Sequence, residues 1–220
     1  MQEIEDKPAG LEIDVMSDVV CPWCFIGKRK LDAACAQFPD VAFDIRWRPF
    51  QLDPTIPPEG MKRLDYLTRK FGADRLASFH DRISEAGAEA GIAFAFDAIT
   101  RSPNTLDAHR LIRWSHARNR QHELVDRLFR LYFIEGQDLG DRDLLVSVAD
   151  EFGLDGSLVR RLLDDGTDVG SVREEIATAA RMGVSGVPFF IFGGKLAVSG
   201  AQPEDVLQEA IRRSLADASS

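Results

Sequence analysis

Apolar and polar residues alternate from Leu11 to Val15, as in a strand with one face in a core. The pattern then changes to helical spacing from Pro22 to Gln37, with Phe25, Ile26, Leu31, Ala34 and Cys35 turned inward. Pro22 suits the first helical turn, where its missing N–H would be unpaired anyway. Val41 to Trp47 alternates again, with Phe43, Ile45 and Trp47 on one side. Asp53-Pro54-Thr55-Ile56-Pro57-Pro58-Glu59-Gly60 stops regular structure. From about Met61 to Met182 helical spacing dominates. Leu106, His109, Leu111, Ile112 and Trp114 form one stripe, and Leu124, Val125, Leu128, Phe129 and Tyr132 another. Asn104 reads as an N-cap with Thr105 beginning the helix, and His109 as a hydrogen-bonded interface residue. Strand signals return from Val187 to Phe192. Gly193-Gly194 reads as a two-residue turn and Lys195 to Ser199 as the return strand. Pro203 leads a last amphipathic helix, Glu204 to Leu215. The order β-α-β, helices, β-β-α predicts an α/β chain in three parts. Residues 1–60 and 183–220 build one sheet domain, and 61–182 form an inserted helical domain.

Composition narrows the function. The chain has 220 residues, 45% hydrophobic and 29% charged, with a net charge of −9. That charge argues against general nucleic-acid binding. No apolar stretch is long enough to span a bilayer, so no membrane partner is expected. The start, Met1 to Asp6, is acidic and lacks the layout of a secretory leader. The cytoplasm is the expected compartment, and monomer and homodimer both stay open.

Candidate chemistry centres on Cys21-Pro22-Trp23-Cys24. A sulfur at a helix start meets unpaired backbone N–H groups and the positive end of the helix dipole, which favour an anion. Thiolate is the nucleophile in disulfide exchange, so this placement activates Cys21. Cys24, one turn later, is placed to close an internal disulfide and release a trapped partner. Zinc sites share this spacing but need a second ligand pair. Cys35 is the only other cysteine, and the four histidines show no matching spacing, so no metal is expected. Cys35 would lie roughly 16 Å from Cys24 along the helix, beyond disulfide reach, and reads as a small buried residue. Lys28, Arg29 and Lys30 read as a solvated basic face.

Pro188 begins a strand, where it would lose a ladder hydrogen bond. A cis Val187–Pro188 bond and a trans proline at an edge both account for it. The CPWC motif, followed by Phe25-Ile26-Gly27, the Gly186-Val187-Pro188 strand start and the closing Ser199-Gly200-Ala201-Gln202-Pro203 resemble the thioredoxin superfamily. Within it the chain, including Asn104 to Arg110, is similar to DsbA-like oxidoreductases of the FrnE group. The resemblance implies a thioredoxin fold interrupted by helices, with Pro188 cis and packed against Cys21 and Cys24. It also implies that Val187 offers its backbone to an extended substrate, that Pro22 and Trp23 line the substrate site, and that protein or low-molecular-weight disulfides are substrates. No resident cofactor is implied beyond the thiol pair, with glutathione a candidate co-substrate. Two departures stand out. The buried acid often found six residues before the first cysteine is here Val15, leaving Asp14 and Asp18 as imperfect substitutes. Pro-Trp replaces the Pro-His of the strongly oxidising relative, which implies a less oxidising pair. The alternative function is a glutathione-dependent isomerase or transferase of the hydroxychromene-carboxylate isomerase or kappa type. Those relatives typically carry Ser in place of the first cysteine.

Overall fold

The computed structural model describes residues 10–72 and 76–218; Met1 to Asp6, read above as lacking a leader, lies outside them. Strand β1 (Gly10–Ser17) runs parallel to β2 (Ala42–Pro49) and antiparallel to β5 (Phe189–Phe192), which pairs antiparallel with β6 (Leu196–Ser199). The sheet order is β2-β1-β5-β6, so the two ends of the chain build one sheet. Both β1 and β2 run longer than the alternation alone indicated, because each strand's ladder carries past its last apolar residue, Ser17 pairing with Pro49.

Between β2 and β5 lie α2 (Arg63–Phe71), α3 (Leu76–Glu89), α4 (Leu106–Ser115), α5 (Gln121–Phe133), α6 (Arg142–Glu151), α7 (Gly156–Asp165) and α8 (Val169–Arg181). A short ladder of β3 (Met61–Lys62) with β4 (Arg101–Ser102) interrupts this helical stretch, a detail two-residue strands are too short to announce. Helix α1 (Pro22–Cys35) precedes β2, and α9 (Glu204–Ala218) closes the described chain.

Ile13, Val15, Phe190 and Phe192 are fully buried on the sheet face that meets α1. Phe25 of α1 stacks on Phe129 of α5 at 5.1 Å and meets Phe94 edge-on at 6.1 Å. One apolar cluster therefore runs from the sheet through α1 into the helices. Met16, on the opposite face, packs with Ala179 and Val184 at the end of α8.

Two sequence expectations need correction here. Phe192 pairs with Leu196, so Gly193, Gly194 and Lys195 all lie in the turn, which has three residues and not two. Both glycines have positive φ, 56° and 68°, which a side chain would strain. The basic run is not a solvated face. Lys28 is 3% exposed, with Nζ 2.8 Å from Asp32 and 3.5 Å from Asp126 of α5. Arg29 shares Asp126 at 3.0 Å. Burial raises the Asp32 carboxyl, but His122 and Lys28 outweigh it and hold the group below its ordinary value. Trp47 donates its indole N–H to His122 Nδ1 at 3.2 Å. The neutral ring then carries its proton on Nε2 and donates to Asp32 at 2.7 Å.

Candidate active site

Cys21 occupies the N-cap of α1 in extended conformation (φ −93°, ψ 112°), with Pro22 as the first helical residue. Its N–H donates to the Asp18 carbonyl at 2.9 Å, which closes the turn from β1 into the helix. Its carbonyl accepts from Cys24 and Phe25 N–H at 3.0 and 3.3 Å. The first turn carries no acidic residue, so nothing on the helix offsets the positive end of its dipole.

Cys21 and Cys24 are both free thiols. They differ in setting. Cys21 is 3% exposed and its sulfur donates to the Val187 carbonyl at 3.7 Å. Cys24 is fully buried, one turn deeper. Burial pushes its pKa well up, helped by the hydrogen bond and charge of Cys21, while Ser17 and the Asp18 backbone oppose the rise. Cys35 is half-buried, less enclosed than its sequence position suggested, because α1 ends there and leaves one side open. Burial and the nearby Asp32 charge push its thiol to about 12.

The Val187–Pro188 peptide is cis. Pro188 leans on α1 at Gly27, where a Cβ would stand 2.8 Å from Pro188 Cγ and 3.2 Å from Phe190 Cζ. Val187 and Trp23 are half-buried, each with its side chain against the core. The structure thus brings Cys21, Cys24, Val187 and Pro188 to one end of the sheet, with Pro22 and Trp23 between the cysteines.

Of the two imperfect acids, Asp14 is held by Arg48 at 2.6 Å on the sheet face opposite α1, away from the thiols. Asp18 is 1% exposed. Its Oδ2 accepts the Leu52 N–H at 2.8 Å, and Oδ1 lies 3.5 Å from His109 Nε2 without a hydrogen bond among the described residues. His109 is a buried interface residue, its Nε2 2.9 Å from the Phe50 carbonyl. Asn104 caps α4 from one residue further back than expected: Oδ1 takes the Leu106 N–H at 3.0 Å, and Thr105 holds the N-cap position.

Two cavities lie beside the turn from β1 into α1. A chamber of ≈60 Å³ is lined by Asp18, Val20, Pro22, Arg63, Tyr66 and Tyr132, among others. Burial raises the Tyr132 hydroxyl to about 12 although Arg63 opposes it. A larger cavity of ≈830 Å³ lies between β2 and helices α4, α7 and α8, and Ser17 lines it. Ser17 went unnoticed in the sequence, where a serine closing a strand carries no signal.

A family model described as a DSBA-like thioredoxin domain matches residues 12–212. The uncharacterized protein YwbO of Bacillus subtilis (strain 168) is 30% identical over 202 residues, 91% of this chain and 96% of that protein. Among solved structures, a probable DsbA oxidoreductase, SCO1869 from Streptomyces coelicolor, superposes with TM-score 0.84 at 31% identity, covering 94% of this chain and 91% of that one. A 2-hydroxychromene-2-carboxylate isomerase superposes with TM-score 0.71 at 17% identity, over 95% of this chain and 100% of that one, which shows a shared fold alone. The chain belongs to the family of DSBA-like thioredoxin domains, which are thiol oxidoreductases.

Proposed function

We propose that Cys21 and Cys24 form a redox pair that exchanges electrons with disulfides of proteins or low-molecular-weight thiols. The observation that carries this reading is the division of labour between the two sulfurs. Cys21 stands at a helix start with its sulfur on the Val187 carbonyl, and Cys24 is sealed one turn behind it. The Cys21 thiolate attacks a substrate disulfide, one substrate sulfur leaves as a thiol, and a mixed disulfide remains. Cys24 then attacks Cys21, the pair closes to a disulfide, and the second substrate sulfur leaves. Two electrons pass to the substrate, and running the steps backward oxidises a dithiol. Pro22 starts the helix that presents Cys21, Trp23 walls the site, and Val187 offers main-chain pairing to an extended substrate while Pro188 packs below.

No resident cofactor is needed, because the thiol pair carries the electrons; glutathione is a candidate co-substrate. The cytoplasm is the proposed compartment, where a reducing poise keeps such a pair as free thiols between turnovers. No helix among the described residues is long and apolar enough to cross a membrane. An isomerase or transferase of the hydroxychromene-carboxylate type has less support, since that chemistry has no use for Cys24.

The test is a measured reduction potential for the pair, with insulin reduction and oxidation of a scrambled protein run alongside. Cys24→Ser should accumulate a mixed disulfide through Cys21. Full activity in Cys21→Ser would sink the reading.

A further inference from the structure

The ≈60 Å³ chamber lies next to the redox pair: Pro22, which lines it, follows Cys21 directly, and Val20, which also lines it, directly precedes Cys21. Consecutive Cα atoms stand about 3.8 Å apart, so a group held there is a few bonds from a disulfide on Cys21. Four charged residues line the chamber, Asp18, Asp53, Arg63 and Lys70.

The two acids are committed elsewhere. Asp18 Oδ2 takes the Leu52 N–H at 2.8 Å, and its Oδ1 is sealed from solvent. Asp53 accepts the Thr55 N–H at 3.0 Å and lies 3.5 Å from Arg69. The two cations, by contrast, have no carboxylate partner among the described residues. Arg63 Nη1 donates to the Tyr132 hydroxyl at 2.8 Å, and the guanidinium stands 5.6 Å from the centre of that ring. Arg63 Nε is sealed, but Nη2 keeps accessible surface and has no hydrogen bond among the described residues. Lys70 Nζ donates to the Tyr66 hydroxyl at 2.7 Å and the Leu52 carbonyl at 3.3 Å, both neutral acceptors. A guanidinium steadied by a neutral ring and left without a carboxylate keeps its affinity for one.

We propose that this chamber seats a carboxylate of the substrate on Arg63 Nη2 and Lys70, so that the preferred substrates are disulfides of small mercapto-carboxylic acids. Size supports the small molecule over a protein. A water takes about 30 Å³ in the liquid, so ≈60 Å³ admits a group the size of a carboxylate and not a length of chain. The thiol–disulfide exchange is the one already described; the chamber decides which disulfide reaches Cys21 in register. This names a substrate class for the redox reading above and rests on it.

The experiment measures single-turnover reduction of three small disulfides by the reduced protein: 3,3′-dithiodipropionate, neutral bis(2-hydroxyethyl) disulfide and cationic cystamine. Each rate constant is divided by that for uncharged dithiothreitol, which removes intrinsic reactivity. The dicarboxylate should lead the neutral disulfide by about tenfold, the low end for hydrogen bonds between charged groups, and cystamine should trail both. Arg63→Met should bring the dicarboxylate-to-neutral ratio close to one. Lys195→Met removes the same charge from the β5–β6 turn, at the other end of the sheet, and should keep the ratio. A wild-type ratio near one, a ratio kept in Arg63→Met, or one lost equally in Lys195→Met overturns the proposal. If Arg63→Met does not fold, Lys70→Met decides: it should lower the ratio at least threefold, and an unchanged ratio overturns the seat. Failure of the wild type to reduce any of the three would overturn the redox reading itself, whereas equal reduction of all three overturns the carboxylate seat alone.

Discussion

Replacing Gly27 with alanine sets two opposing effects against each other inside α1. Alanine in a helix interior is favoured over glycine by about 1 kcal/mol. Here the new methyl would stand 2.8 Å from Pro188 Cγ and 3.2 Å from Phe190 Cζ. Carbon atoms pack best at about 3.5–4.0 Å, so Pro188 or the helix must move by at least about 0.7 Å. Phe190 is fully buried and pinned in the sheet, which leaves little slack on that side. Overpacking of this kind costs about 1–3 kcal/mol, so the net change is a destabilisation of about 0–2 kcal/mol. The larger effect should fall on activity. Pro188 follows Val187, whose carbonyl accepts from Cys21 sulfur, so lifting Pro188 off α1 also moves the backbone beside the nucleophile. A displacement near 1 Å at a reacting centre can cost about 10²-fold in rate. Urea unfolding would give the stability change, and kcat/KM for disulfide reduction the second. A Gly27→Ala protein about 1 kcal/mol more stable than wild type, with unchanged kcat/KM, would refute this reasoning.

Mass mapping after brief alkylation at neutral pH should find Cys21 labelled first, since Cys24 is sealed and both other thiols are raised by burial. The raised Cys35 thiol is a stabilising feature fully present below its unfolded value near 9 and lost as pH climbs toward about 12; Cys35→Ser should flatten that alkaline loss in pH-dependent unfolding and leave turnover intact. Lys28→Met should destabilise by about 1–3 kcal/mol at pH 7, less than a fully buried pair, because Asp32 keeps His122 and Asp126 keeps Arg29. The Asp32 carboxyl is held low, so its contribution is present above pH 4 and disappears as pH falls through its folded value; denaturant titrations at pH 7 and pH 3 should show the wild type and Lys28→Met converging. Arg110→Lys should cost stability without touching turnover. Its buried guanidinium donates to the Thr167, Leu163 and Leu162 carbonyls at the end of α7 and to Asp107, a fork that an ammonium cannot match.

What the sequence disclosed was local. Alternation marked β1 and β2, a run of aromatic and β-branched residues marked β5, and a proline after a cysteine marked the start of α1, because backbone geometry acts over a few residues. The thiol pair was legible for the same reason: four adjacent residues contain it. Lys28 was misread because one of the carboxylates that hold it, Asp126, comes from α5, far along the chain. The same holds for Asp18, which meets Leu52 and His109 only after the helices fold back. Ser17 shows the limit most plainly. It lines the cavity beside β2, and no pattern of residues records empty space.

Cys21 and Val187 touch across 166 positions of chain. At ribosomal speeds of about 5–20 residues per second, roughly ten to thirty seconds separate synthesis of the thiols from synthesis of the segment that covers them. During that interval the nascent chain carries the CPWC helix without β5, the strand that pairs with β1 and completes its shelter. Newborn chains are therefore the form most open to stray oxidation or to capture by other thiols. The protein's own cysteine chemistry is exposed before its fold can govern it, and slow synthesis or early termination would lengthen that exposure.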